Sequence, residues 1–248
     1  MKEKIYVPDK AYKNLEFLTS HEARTVRILS EYLEPEARLR KLKVNNTVLF
    51  LGSSKADPED ESSPLAKYYW DAEELAHFLV KWAIKLKPKG KNFVICTGGG
   101  PGIMEAANRG ASRAGGKSIG MNISIPQEQS QNPYISPELS FIFHYFFMRK
   151  FWLVYEAKAV VAFPGGYGTL DEVFETFTLI QSKKISKGNI PIILYGEEYW
   201  REIINFESLL KYGTISPEDL KLFSFYSTPK EAFSFLKKRL MEHLLASE

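Results

Sequence analysis

Pro164-Gly165-Gly166-Tyr167-Gly168-Thr169-Leu170-Asp171-Glu172 is the stretch on which the reading of the fold turns. The apolar run Ala159-Val160-Val161-Ala162-Phe163 leads into it, and an amphipathic stretch from Thr169 to about Gln181 leads out. That order predicts a buried strand, a tight glycine loop and a helix. Three glycines in four positions permit positive φ and leave no Cβ between backbone amides and a ligand. A helix start with free N–H groups and a positive dipole end suits an anion, above all a phosphate. Glu172 lies one turn inside, so a phosphate grip and a carboxylate are expected side by side.

The same strand–loop–helix order recurs on both sides. Thr47–Leu51 predicts a strand ending in Gly52-Ser53-Ser54, and a long helix is expected from Ser63-Pro64 to about Lys87. Lys89–Asn92 reads as a turn before a strand at Phe93–Cys96, which runs into Thr97-Gly98-Gly99-Gly100-Pro101-Gly102. A helix follows from Ile103 to about Ala114, then a strand at Lys117–Ile125, a polar connection from Gln127 to Pro137, and a strand at Leu139–Tyr145. Helices are expected at Phe146–Ala157, about Glu197–Tyr212 and Pro229–Leu245, with strands at Ile190–Tyr195 and Leu222–Tyr226. Nearly all-apolar strands alternating with helices indicate an α/β fold, a Rossmann-like doubly wound parallel sheet covered on both faces. Its ligand edge lies at the carboxyl ends of the strands. The loops at Ser53, at Gly99-Gly100 and at Gly165–Gly168 would share that edge. Residues 1–43 have another character: Thr19 or Ser20 suits the cap of a helix through Leu33, and Pro35 suits the start of a second short one ending near Leu42. The division expected is a helical extension over 1–43 and one nucleotide-binding domain over 44–248.

Bulk composition narrows the function classes. Of 248 residues, 44% are hydrophobic, and 33 basic residues face 30 acidic ones for a net charge of +3, so nothing demands a nucleic-acid polymer or a membrane surface. No apolar run is long enough to span a bilayer, the N-terminus does not read as a signal peptide, and the cytoplasm is the expected location. Cys96, the single cysteine, sits in an apolar strand and reads as a small buried hydrophobe. His21, His77, His144 and His243 are scattered without metal-ligand spacing, so no metal is expected. The glycines at 98–102 do not match a dinucleotide fingerprint, and a Walker motif is missing. Glu105 is read either as a site carboxylate or as a first-turn charge matching the helix dipole. Arg149-Lys150 offers a bidentate fork and a point charge for a phosphate, or a solvated surface pair.

Together, Gly98-Gly99-Gly100-Pro101-Gly102-Ile103-Met104, Arg149-Lys150 and the 164–172 motif resemble the Lonely Guy family, whose members are nucleoside 5′-monophosphate phosphoribohydrolases often mislabelled lysine decarboxylases. The resemblance spans about residues 45–226 and is closest to the longer bacterial branch. It implies Arg149 and Glu172 as catalytic residues. It also implies substrate binding by Arg149, Lys150, Gly165, Gly166, Tyr167, Gly168, Thr169, Leu170 and Thr178, with Ser53, Gly99 and Gly100 added from the neighbouring loops. The family's M-H-x-R-K reads Phe146-Phe147-Met148-Arg149-Lys150 here, so the Met and His are replaced. The implied reaction is cleavage of the N-glycosidic bond of AMP or a cytokinin-type nucleotide, with no cofactor, in a homodimer or higher homo-oligomer joined through helices between Phe146 and Gln181. The alternative is a non-catalytic carrier of a nucleotide or phosphorylated pterin on a related fold.

Overall fold

The structure is a computed structural model, and it describes residues 8–86, 92–125, 131–184 and 190–245. The turn expected at Lys89–Asn92 and the first half of the connection from Gln127 lie largely outside the described residues. Seven strands form one parallel sheet: β1 Thr47–Leu51, β2 Val94–Thr97, β3 Ser118–Ile123, β4 Ser140–Phe143, β5 Ala157–Ala162, β6 Ile192–Tyr195 and β7 Phe223–Tyr226. Their spatial order is β4-β3-β2-β1-β5-β6-β7, so the chain runs outward from β1 in one direction, then crosses back to β5 and continues in the other. β1 and β5 are the central pair, with Leu49 opposite Val160 and Leu51 opposite Ala162.

The apolar strands divide their side chains between two layers. Val48, Phe50, Ile95, Ala159 and Val161 join a core with α3 (Ala66–Leu86), α4 (Ile103–Arg113) and α9 (Pro229–Leu245). Leu49, Leu51, Cys96, Val160 and Ala162 face the opposite layer of α2 (Arg24–Lys41), α5 (Phe146–Tyr155), α6 (Tyr167–Gln181), α7 (Glu197–Ile203) and α8 (Phe206–Lys211). Alternation on every strand with apolar residues on both sides is what a doubly covered parallel sheet requires. Helices α3 and α4 approach each other closely. A Cβ on Gly110 would stand 2.1 Å from the Glu73 carbonyl oxygen. The buried Glu73 carboxylate is flanked by Arg113 Nη1 at 3.3 Å and Arg109 Nε at 3.7 Å.

Three expectations need correction. Pro35 does not open a helix: it sits buried inside α2, which runs unbroken from Arg24 to Lys41 after the short α1 (Leu15–Thr19). A proline removes the donor to the carbonyl four residues back; here that carbonyl, Glu31 O, accepts the Trp152 indole N–H at 3.0 Å instead. Neither Thr19 nor Ser20 caps α2; Ala23 does, with no side-chain bond. The helix expected over 197–212 is two, because Asn205 interrupts it and caps α8 by accepting the Ser208 N–H at 2.8 Å.

Candidate active site

The strand order reverses between β1 and β5, and the loops leaving these two strands are bonded to each other. Ser53 N–H donates to Pro164 O at 3.0 Å, and Ile103 N–H donates to Ser53 O at 3.0 Å. The three glycine loops therefore meet at the topological switch point, where open α/β sheets form their ligand crevice. The contacts are close enough to need glycine. A Cβ on Gly102, at φ +69°, would lie 2.3 Å from Ser53 O, and one on Gly165 would lie 2.3 Å from Thr169 Oγ1. Positive φ belongs to the second loop, at Gly99 and Gly102; Gly165, Gly166 and Gly168 do not adopt it. In the 164–168 loop the missing side chains give space instead: a Cβ on Gly166 or Gly168 would meet nothing within 4 Å. Gly166 is the N-cap of α6 and no side chain caps that end, so the first amides of the helix are left for another acceptor.

Arg149 and Glu172 come together beside this loop. Arg149 Nη1 donates to Glu172 Oε1 at 3.0 Å, and Nε donates to Met121 O, on β3, at 2.7 Å. The third guanidinium nitrogen lies against Gly98, where a Cβ would stand 2.2 Å from Nη2. The two side chains are 11% and 13% exposed, so the pair is largely desolvated but keeps some contact with solvent. Burial pushes the Glu172 carboxyl above its ordinary 4.5, Arg149 pulling the other way without cancelling the effect. This combination holds a carboxylate that is reluctantly charged next to a fixed cation, a common condition of catalytic carboxylates.

The remaining residues expected at the site are distributed around this centre. Thr169 is buried against Gly165, and Leu170 N–H makes the first intrahelical bond of α6, to Gly166 O at 3.0 Å. Tyr167 projects outward and is 92% exposed. Lys150 has other ion-pair partners than Arg149: Nζ is 2.7 Å from Asp171 and 3.4 Å from Glu175, on the side of α6 where a groove of about 590 Å³ runs between Phe147, Phe151, Tyr155 and Leu179, and its charge still acts on Glu172. Thr178 is further along α6, exposed, its hydroxyl donating back to Phe174 O at 2.8 Å. Glu105 accepts the Tyr69 hydroxyl at 2.9 Å, which ties it to α3, and burial pushes that phenol up to about 12. Cys96 is buried, and burial likewise pushes its thiol up to about 12.

One buried network was not expected from sequence. Asn132 Nδ2 donates to Gly99 O at 3.1 Å, Gly100 O at 3.0 Å and Asn108 Oδ1 at 3.0 Å. Thr97 Oγ1 donates to Asn108 Oδ1 at 2.8 Å and accepts Gly99 N–H at 2.9 Å. These side chains fix the second glycine loop from beneath. The only sequence signal is Thr97 directly ahead of the glycines. Among the described residues no group of His, Cys, Asp and Glu could hold a metal ion, and no helix is long and apolar enough to cross a membrane.

Comparison with known proteins follows the same lines. The crystal structure of TM1055 superposes with a TM-score of 0.54 at 23% identity, covering 78% of this chain and 99% of that one. A molybdenum cofactor binding protein from Rippkaea orientalis matches at 0.51 and 21%, covering 78% of this chain and 95% of its own. The molybdenum cofactor carrier protein of Chlamydomonas reinhardtii matches at 0.52 and 19%, covering 79% and 99%. At these identities the likeness is one of fold. No curated protein sequence matches the chain. The model of the family described as "possible lysine decarboxylase" matches residues 104–236, over half of the sequence, and the chain belongs to that family, the Lonely Guy family to which its motifs pointed.

Proposed function

We propose that the protein is a nucleoside 5′-monophosphate phosphoribohydrolase, releasing free base and ribose 5-phosphate. The observation that carries this reading is the Arg149–Glu172 pair, 3.0 Å apart and largely desolvated, one helical turn from an uncapped, glycine-opened helix start. The 5′-phosphate sits on the first amides of α6 with Thr169 and the glycine loop, as anions do at helix N-termini. Glu172 then faces C1′. As the C1′–N bond breaks, positive charge develops on the ribosyl carbon, and the carboxylate stabilises it and takes a proton from the attacking water. The water oxygen bonds to C1′, and the electron pair of the broken bond leaves with the base, which is protonated in turn. Arg149 holds the ribose or phosphate and orients Glu172. The base is adenine or a cytokinin-type purine, no cofactor is required, and the setting is cytoplasmic. We further read residues 1–43 as an extension on a single domain over 44–248. Two copies associate through the apolar groove between α5 and α6.

Incubation with AMP and other monophosphates, followed by chromatography for free base, tests the reading directly. Glu172→Gln abolishes release while AMP still binds; wild-type turnover in that variant removes Glu172 from the mechanism. A second reading is favoured by the fold neighbours that are molybdenum cofactor carriers: the same loops would carry a phosphorylated pterin without chemistry. Tight binding of such a ligand with no base released from any monophosphate decides for it. Lys150, the lysine beside Arg149, gives no support to the decarboxylase chemistry in the family's descriptive name. A Schiff-base lysine needs a lowered pKa. Burial alone would lower Lys150, but Asp171 and Glu175 outweigh it and hold its ammonium above the ordinary lysine value.

A further inference from the structure

We propose that Glu31, on the N-terminal helix α2, is a positioning residue for Arg149, which makes that helix a working part of the site. It lies outside the residues matched by the family model. Glu31 is bonded twice to the segment that launches α5 and once to Trp152 within the helix. Its carboxylate accepts His144 N–H at 2.7 Å on one oxygen and Tyr145 N–H at 3.2 Å on the other. Its carbonyl, released by Pro35, accepts the Trp152 indole N–H at 3.0 Å.

The position of these bonds gives them their consequence. Tyr145 is the N-cap of α5 and offers no capping side chain. A helix ordinarily meets this need with a local residue, such as a glutamate reaching back to the N-cap amide. Here the glutamate comes from another element, 114 residues earlier in the chain, and its charge also complements the helix dipole. Tyr145 O in turn accepts the N–H groups of Met148 and Arg149, both at 3.1 Å. A single residue therefore separates the Glu31 carboxylate from the backbone of Arg149. Elsewhere α2 also touches β4, before that junction, and α5, after it. Arg38 Nη1 donates to Ser140 O at 2.7 Å, its guanidinium lying 4.2 Å from the Phe141 ring, and Tyr32 packs on Phe151 and Trp152 at 5.6 and 5.7 Å. A guanidinium held between Met121 O, Glu172 and Gly98 has little tolerance for a shifted helix start.

This inference rests on the proposed hydrolase reading only for its activity readout. Full-length Glu31→Ala and the shape-conserving Glu31→Gln are compared with wild type, and Glu36→Gln, elsewhere on α2, serves as control. Amide exchange over residues 144–150 is expected to accelerate in both Glu31 variants but not in the control. Phenylglyoxal labelling of Arg149, mapped by mass spectrometry, is expected to rise with it. With AMP, kcat/KM falls by roughly 10- to 100-fold, the scale of an ångström-sized misplacement. KM rises along with the fall in kcat, whereas a smaller folded fraction would lower kcat alone. In an Arg149→Ala background the same substitution costs nothing further. Equal losses in both backgrounds, or unchanged exchange and labelling, overturn the proposal. If wild type releases no base, the hydrolase reading fails, and exchange and labelling alone decide for or against Glu31.

Discussion

Gly98→Ala is the substitution that tests the Arg149–Glu172 geometry most sharply. Gly98 does not occupy the left-handed region, so its backbone suits alanine, and the obstacle is contact. The new methyl would stand 2.2 Å from Arg149 Nη2 and 2.8 Å from Met104 Sδ. Met104 is flexible and can move away. Arg149 is not free to do so, because Nε is bonded to Met121 O and Nη1 to Glu172. Reaching an ordinary contact of about 3.5 Å means a displacement of roughly 1.3 Å at the guanidinium. A shift of that size costs on the order of 100-fold in rate, which corresponds to about 2.7 kcal/mol of barrier. The crowding costs about 1–3 kcal/mol of stability, which leaves the fold intact. The assay is base release from AMP alongside thermal unfolding followed by circular dichroism. A folded Gly98→Ala protein with kcat/KM within about twofold of wild type would show that Arg149 is not held where the reaction needs it.

Three further outcomes are expected. Glu172 acts ionised and its pKa is raised, so kcat/KM declines as pH falls through an inflection above 4.5; an inflection at or below 4.5 contradicts its burial. Asn132→Ala leaves Gly100 O without its amide donor and should lower unfolding free energy by about 1–3 kcal/mol in urea titration, whereas an unchanged midpoint would deny the network its role. Cys96, with its thiol pushed up to about 12 inside β2, should resist DTNB at pH 8 until the protein unfolds, and rapid labelling of native protein would refute that burial.

The parts of this molecule legible in sequence are those governed by local pattern. Thr47–Leu51 reads as a strand because it is a short, nearly all-apolar run, and the structure buries all five residues; the glycine-to-helix junction reads from the loss of side chains ahead of an amphipathic run, although α6 begins at Tyr167, two residues before the Thr169 expected. Pro35 misleads because its effect depends on a donor supplied by Trp152, remote in the chain. Lys150 follows Arg149 directly, yet successive helical residues diverge by about 100°, so motif adjacency does not give the two the same ion-pair partner. Asn132 is silent in sequence because its value lies in carbonyls that only the folded Gly99-Gly100 loop turns toward it. The reach of Glu31 on α2 to the start of α5 is likewise invisible, since one glutamate among many looks like a solvated surface charge.

The seam between α3 and α4 has a mechanical meaning. With no room for even a methyl at Gly110, and two arginines gripping one buried acid across the join, these helices travel as a single plank. The 98–102 loop is mounted on the end of that plank, and Asn132 and Thr97 tie it down from beneath. From the opposite layer, α5 and α6 bring Arg149 and Glu172 to meet that loop, Arg149 bonding across to Met121 O on β3.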